Sequence, residues 1–91
     1  MDRQIMINIL ADVEVAEEVA KYYNKNADSI MSLYMDSIYK IHQIDSNAYN
    51  NMMEFLKSNT KVHYELEQDV HTKLKDMQEE FSTQDTMVKN R

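Results

Sequence analysis

The chain has 91 residues, 43% of them hydrophobic and 29% charged, with 10 Lys and Arg against 16 Asp and Glu for a formal charge of −6. That length makes one domain, and an acidic surface repels nucleic acid and anionic membrane alike, so neither is expected as a partner. The lack of cysteine excludes disulfides, thiolate zinc sites and a thiol nucleophile, while the lack of glycine and proline excludes tight hairpins and favours helix.

The first segment, about Arg3 to Asn24, carries Ile5, Ile9, Val13, Ala16 and Ala20 in one row with Met6 and Leu10 beside it. Glu14, Glu17, Glu18 and Lys21 lie largely opposite, which is the pattern of an amphipathic helix. Val15, Val19 and Tyr22 widen its apolar arc, so the helix is expected to touch two neighbours and the chain to wrap around it. Residues 24–29 (Asn-Lys-Asn-Ala-Asp-Ser) have the short polar side chains that bond local backbone in turns, and they predict a loop.

A second helix is expected from Ser29 to His42, with Ile30, Leu33, Tyr34, Ile38 and Ile41 inward. At the corner that follows, Asp45 or Ser46 can cap the next helix, and Ile44 and Tyr49 have the spacing of a hydrophobic staple around Asp45. Helix three, about Ser46 to Lys57, offers Tyr49, Met52, Met53 and Leu56 to a core, with Phe55 at its flank. Its asparagines are poor helix formers, so packing must hold it. Asn59 is expected to cap helix four, along which Val62, Leu66, Val70, Leu74, Met77 and Phe81 recur at steps of three and four. Periodicity fades at Ser82. The expected organisation is therefore a single helical domain over residues 1–81 and a polar C-terminal tail over 82–91.

No apolar run approaches the roughly 20 residues that span a bilayer. Met1-Asp2-Arg3-Gln4 lacks the basic start and apolar stretch of a signal peptide, so the chain as given is expected to be soluble.

Several runs carry a family resemblance. Residues 7–17 (Ile-Asn-Ile-Leu-Ala-Asp-Val-Glu-Val-Ala-Glu) are similar to the "ILaDxxxAE" start of a domain-of-unknown-function family of small Bacteroidetes envelope lipoproteins. Residues 38–49 resemble that family's "iy.kHgIs...F/Y" turn, and residues 55–59 its "yYs.np" corner, so the likeness spans about Gln4 to Met77. Gln43 stands where the family usually has Gly, which weighs against a left-handed helix cap there, and Thr60 stands where it often has Pro. The resemblance implies a lipoprotein of the cell envelope whose signal peptide and lipidated cysteine are not in this sequence. It implies no activity, because the family has no assigned chemistry.

Three groups of residues could carry chemistry. His63, Glu67 and His71 fall at i, i+4 and i+8 of helix four, where adjacent members can share a metal. The row spans about 12 Å, so one ion would need a ligand from another helix, such as His42 or Asp36. A solvated stripe is the simpler reading, and no metal or cofactor is expected. Asp12, Glu14, Glu17 and Glu18 could act as general acid and base if burial separated their pKa values, with Asp12 nearest the apolar arc. A structural role for these acids is favoured, such as capping or pairing with a Lys of another helix, since no nucleophile with an adjoining base is visible. Six tyrosines and eight methionines exceed what a chain of this size usually holds. Most are expected in the core, while Tyr22, Tyr39 and Tyr64, off the main rows, and Met77 and Phe81, beyond the short helices, are expected to face a partner.

The sequence thus predicts an all-α, compact irregular bundle of four helices, two long and two short, joined by short polar corners. It is read as a non-catalytic interaction or structural module with a protein partner or a weak homodimer. A small metal-dependent or acid-base enzyme and a holdase-like folding helper are the alternatives.

Overall fold

The computed structural model describes the backbone of residues 1–89 and the side chains of residues 1–79 apart from that of Asn24. Four α-helices follow one another, α1 (Arg3–Tyr22), α2 (Ala27–His42), α3 (Ser46–Ser58) and α4 (Thr60–Lys89), with a 3-10 turn at Asn24–Asn26. No strand occurs among the described residues. The fold is a small all-α bundle, as the composition predicts. The turn between α1 and α2 is tighter than expected, since α2 already begins at Ala27.

Helix α1 is the centre. It buries Met6, Ile7, Ile9, Leu10, Ala11, Val13, Ala16 and Ala20, more than the other helices, because its wide apolar arc meets α2 on one side and α4 on the other. Ala11, Ala16 and Ala20 keep that surface shallow, which lets a neighbouring backbone approach. Ile5, expected to lead the row, is instead exposed. Opposite α1 the core is completed by Ile38, Met52, Leu56, Leu66 and Val70. Ile9, Leu56, Leu66 and Val70 are the largest side chains fully withdrawn from solvent.

Helix α4 follows its expected row closely: Leu66 and Val70 are buried, and Val62 and Leu74 pack against them. It packs along α1, where Arg3 reaches Asp69 at 2.7 Å and Asn8 accepts a bond from Lys73. The helix continues past Phe81, where the apolar period ends, to Lys89. At 1.5 Å per residue that carries its backbone about 18 Å beyond Met77, which lies beside Arg3 and Gln4 near the start of α1. The side chain of Phe81 and those of the tail expected over 82–91 fall outside the described residues.

Helix α2 departs from expectation. Leu33 and Ile41, predicted inward, are 69% and 68% exposed, and Tyr34 is exposed as well. Ile38 is buried as expected, and Met31 and Met35 join it in place of Leu33 and Ile41. Both arcs of this helix are apolar, and α2 packs chiefly against α1. A helix with one principal neighbour can cover only one arc, and here the flexible methionines take it.

The corners obey capping chemistry with three corrections. Asp45 takes the N-cap of α3, its carboxylate accepting from the Ala48 N–H at 2.8 Å, while Ser46 is the first helical residue and not the cap. Ile44 and Tyr49 both pack against the core, as a staple requires. Gln43 adopts the left-handed conformation, φ 55° and ψ 46°, that its side chain argued against. Gln43 N–H donates to Lys40 O and Ile44 N–H to Tyr39 O, the double bond pattern of a Schellman ending. Two satisfied carbonyls and the partly buried Ile44 outweigh a left-handed penalty of about 1–2 kcal/mol. Asn59 precedes α4, and its carbonyl accepts the first helical bond from His63. Its side chain turns back, donating from Nδ2 to Phe55 O at 2.7 Å, so it closes α3; among the described residues its Oδ1 accepts nothing from α4.

Candidate functional site

The apolar seam between α1 and α4, centred on Leu66 and Val70, has two edges of different character. On one edge an Arg3–Asp69 ion pair and a hydrogen bond from Lys73 to Asn8 tie the two helices together. The other edge is set by a shift of about 200° around α4, from residues 69 and 73 to residues 67 and 71. There Glu14 of α1 faces Glu67 and His71 of α4, and a ligand-competent atom of each lies within 4.8 Å of the others. His63 Nε2 lies 3.4 Å from Glu67 Oε1. No Lys or Arg among the described residues reaches salt-bridge distance of Glu14 or Glu67. Glu14 Oε2 is buried and has no hydrogen-bond partner.

Above this cluster Leu10, Val13, Tyr49 and Met53 line a groove of about 150 Å³ that also takes in Glu17 and His63. Tyr49 packs its ring against Tyr39, with centroids 5.9 Å apart and planes inclined by 54°. Burial pushes the Tyr49 phenol above its ordinary pKa, and Tyr39 and then Glu17 add to the effect by disfavouring a second negative charge nearby.

The sequence row His63, Glu67, His71 is thus present on one face, as the spacing requires. The group that meets it from another helix is Glu14, which the hydropathy pattern places on the solvent side of α1. His42 and Asp36 do not supply it. His42 is held elsewhere, its Nε2 2.6 Å from Asp12 Oδ2, which joins α2 to α1 at a partly buried position. Asp36 is exposed on α2. Asp12 has the structural pairing expected of it, although with a histidine and not a lysine. Glu17 and Glu18 are exposed, and Glu18 pairs with Lys21 one turn on at 3.1 Å.

The residues expected to face a partner fall at several places. Tyr22 at the end of α1 and Tyr64 in the first turns of α4 are exposed, at 89% and 67%, and Met77 is half exposed. Tyr39 is half buried under its contact with Tyr49. The pattern overlooked a larger apolar surface, a groove of about 340 Å³ between the end of α1 and the outer arc of α2, lined by Val19, Tyr23, Ile30, Leu33, Tyr34 and Ser37. Its signal is the i, i+3, i+4 spacing of Ile30, Leu33 and Tyr34, a pattern that a core-facing row shares.

Fold and site together define a small all-α bundle with a carboxylate and imidazole cluster on one helix seam and an open apolar groove on another. The chain belongs to the family described as "Domain of unknown function (DUF4296)", whose model matches residues 1–80. No curated protein and no solved structure matches it.

Proposed function

We propose that this domain is a non-catalytic protein-interaction module of a bacterial envelope lipoprotein, and that its partner docks on the outer arc of α2. The observation that carries the reading is the exposure of Leu33, Tyr34 and Ile41 in a bundle whose other large aliphatic side chains are mostly covered. Contiguous apolar surface of this kind marks a contact site in a soluble domain. Tyr23 and Tyr34 supply rigid amphipathic rings at its margin, a composition favoured in interfaces. The envelope location rests on the resemblance of residues 7–17 and 38–49 to lipoproteins of that compartment. On this reading the domain contacts the membrane only through a lipidated cysteine outside the sequence.

The absence of a nucleophile with an adjoining base among the described residues supports a role without catalysis. The acidic charge of −6 supports a protein partner over nucleic acid. A photo-cross-linking residue placed at Leu33 in the full-length precursor should trap one partner in cells, and Ile41→Glu should abolish the adduct while leaving the melting temperature unchanged. An adduct pattern indifferent to Ile41→Glu would reject α2 as the docking face.

The half-exposed Met77 favours a second contact, a weak two-fold homodimer along the C-terminal half of α4. Net charge opposes it at low salt, so association should strengthen as salt screens the chains. Light scattering of Met77→Glu against the parent chain across a salt series would reveal it.

A further inference from the structure

We propose that Glu14, Glu67 and His71 form a binding site for a divalent transition cation of the Zn²⁺ type, which ties α4 to α1. Three observations converge on it. The ligand-competent atoms of the three side chains lie within 4.8 Å of one another, although Glu14 is more than fifty residues away in sequence. In a tetrahedral zinc site with ligand bonds of about 2.0–2.1 Å, donor atoms stand about 3.3 Å apart. The side chains therefore need to close by about 1.5 Å at most, a matter of rotamer adjustment for two glutamates and an exposed histidine.

The second observation is independent of that spacing. Glu14 Oε2 is buried without a hydrogen-bond partner, and a buried carboxylate oxygen left alone is unfavourable unless something positive comes to it. The protein supplies no such group: among the described residues no Lys or Arg is in salt-bridge range, and the nearest acid is a second carboxylate. Along the other edge of the same seam Arg3 brings its charge to the Asp69 carboxylate, so the omission is local to this cluster.

The third is the donor chemistry. Two carboxylate oxygens and one imidazole nitrogen suit Zn²⁺ or a neighbouring first-row ion, whereas Mg²⁺ and Ca²⁺ prefer oxygen alone. His63, 3.4 Å from Glu67 Oε1, would steady that carboxylate from outside the ligand set, the role that neighbours of metal ligands commonly fill. His71 is exposed, so the fourth position opens to solvent and takes a water.

The test is titration of chelator-stripped protein with Zn²⁺ by calorimetry, with melting curves recorded in parallel. Co²⁺ would serve as a spectroscopic probe of tetrahedral coordination, and Mg²⁺ and Ca²⁺ as controls. One equivalent of Zn²⁺ should bind and raise the melting temperature. His71→Ala and Glu14→Gln should each weaken binding by at least about tenfold. His42→Ala, which removes the separate Asp12 pair, should leave the affinity unchanged. Glu14→Gln relieves the unpartnered charge and should fold at least as well as the parent without metal, so its loss of binding cannot be ascribed to unfolding. Binding that survives both Glu14→Gln and His71→Ala, no saturable uptake, or equal uptake of Mg²⁺ would overturn the site.

Discussion

Asp12 on α1 and His42 in the last turn of α2 meet at 2.6 Å, Oδ2 to Nε2, with the histidine side chain 14% exposed and the aspartate 46%. The pair lies at the end of α2 that leads into the left-handed corner at Gln43. It fixes the direction in which the chain leaves α1's flank for α3. When the imidazole is protonated it also sets positive charge at a helix C-terminus, where the dipole favours it.

Breaking this pair should loosen the α1 and α2 interface without emptying the core. His42→Ala is expected to destabilise the domain by about 1–2 kcal/mol, below the usual worth of a charged hydrogen bond because Asp12 is half solvated. A double-mutant cycle with Asp12→Asn should return a coupling of at least about 0.5 kcal/mol. Strict additivity would show that the two groups meet without stabilising the fold.

Leu66 and Leu33 make opposite predictions from the same residue type. Leu66 is fully buried in the core, so Leu66→Ala should cost about 2–5 kcal/mol through lost burial and a cavity. Leu33 is 69% exposed, and Leu33→Ala should change stability by no more than about 0.5 kcal/mol. Urea unfolding of the two variants checks both numbers. Similar losses in the two would place α2 against the core in the orientation first expected from its pattern.

That contrast shows which parts of the fold were legible in the sequence. The row Val62, Leu66, Val70, Leu74 has polar residues around it, so only one rotation of α4 buries it. Asp45 is followed at once by a helix-compatible run, and a short acidic side chain before such a run has one good use. Helix α2 carries Ile30, Leu33, Tyr34 and Ile41 on one arc and Met31, Met35 and Ile38 on another. Hydropathy alone cannot choose between those arcs; the choice depends on how many neighbours the helix has, which is a tertiary fact. Glu14 was hidden for a related reason. Its place on the seam follows from where α1 lies across α4, and no local pattern records that.

The corner at Gln43 offers a stabilising substitution. A non-glycine residue at φ 55° carries about 1–2 kcal/mol of steric cost, and glycine removes it. Glycine also raises the entropy of the unfolded chain, which returns about 0.5–1 kcal/mol of the gain. Gln43→Gly should therefore stabilise the domain by about 0.5–1 kcal/mol, read as a higher urea midpoint, whereas Gln43→Val should destabilise it. A glycine variant weaker than the parent would mean that the glutamine side chain makes a contact that outweighs its backbone strain.

Tyr49 should make the fold sensitive to alkali. Burial, Tyr39 and Glu17 all raise its pKa in the folded state, so folding favours the neutral phenol. The unfolded chain then releases this proton at lower pH than the folded one. Stability from the shift is fully present below the ordinary tyrosine pKa of about 10, and it is lost as pH climbs from there through the raised folded value. Other tyrosines and lysines titrate in the same range, so the informative quantity is the difference between the parent chain and Tyr49→Phe. That difference should be constant from pH 7 to about 9 and should then move in favour of Tyr49→Phe, which has no phenol to ionise. Urea midpoints of the two proteins at half-unit steps up to pH 11 would measure it. Curves that stay parallel throughout would show that Tyr49 ionises as readily in the folded chain as in the unfolded one, and that its groove is open to water.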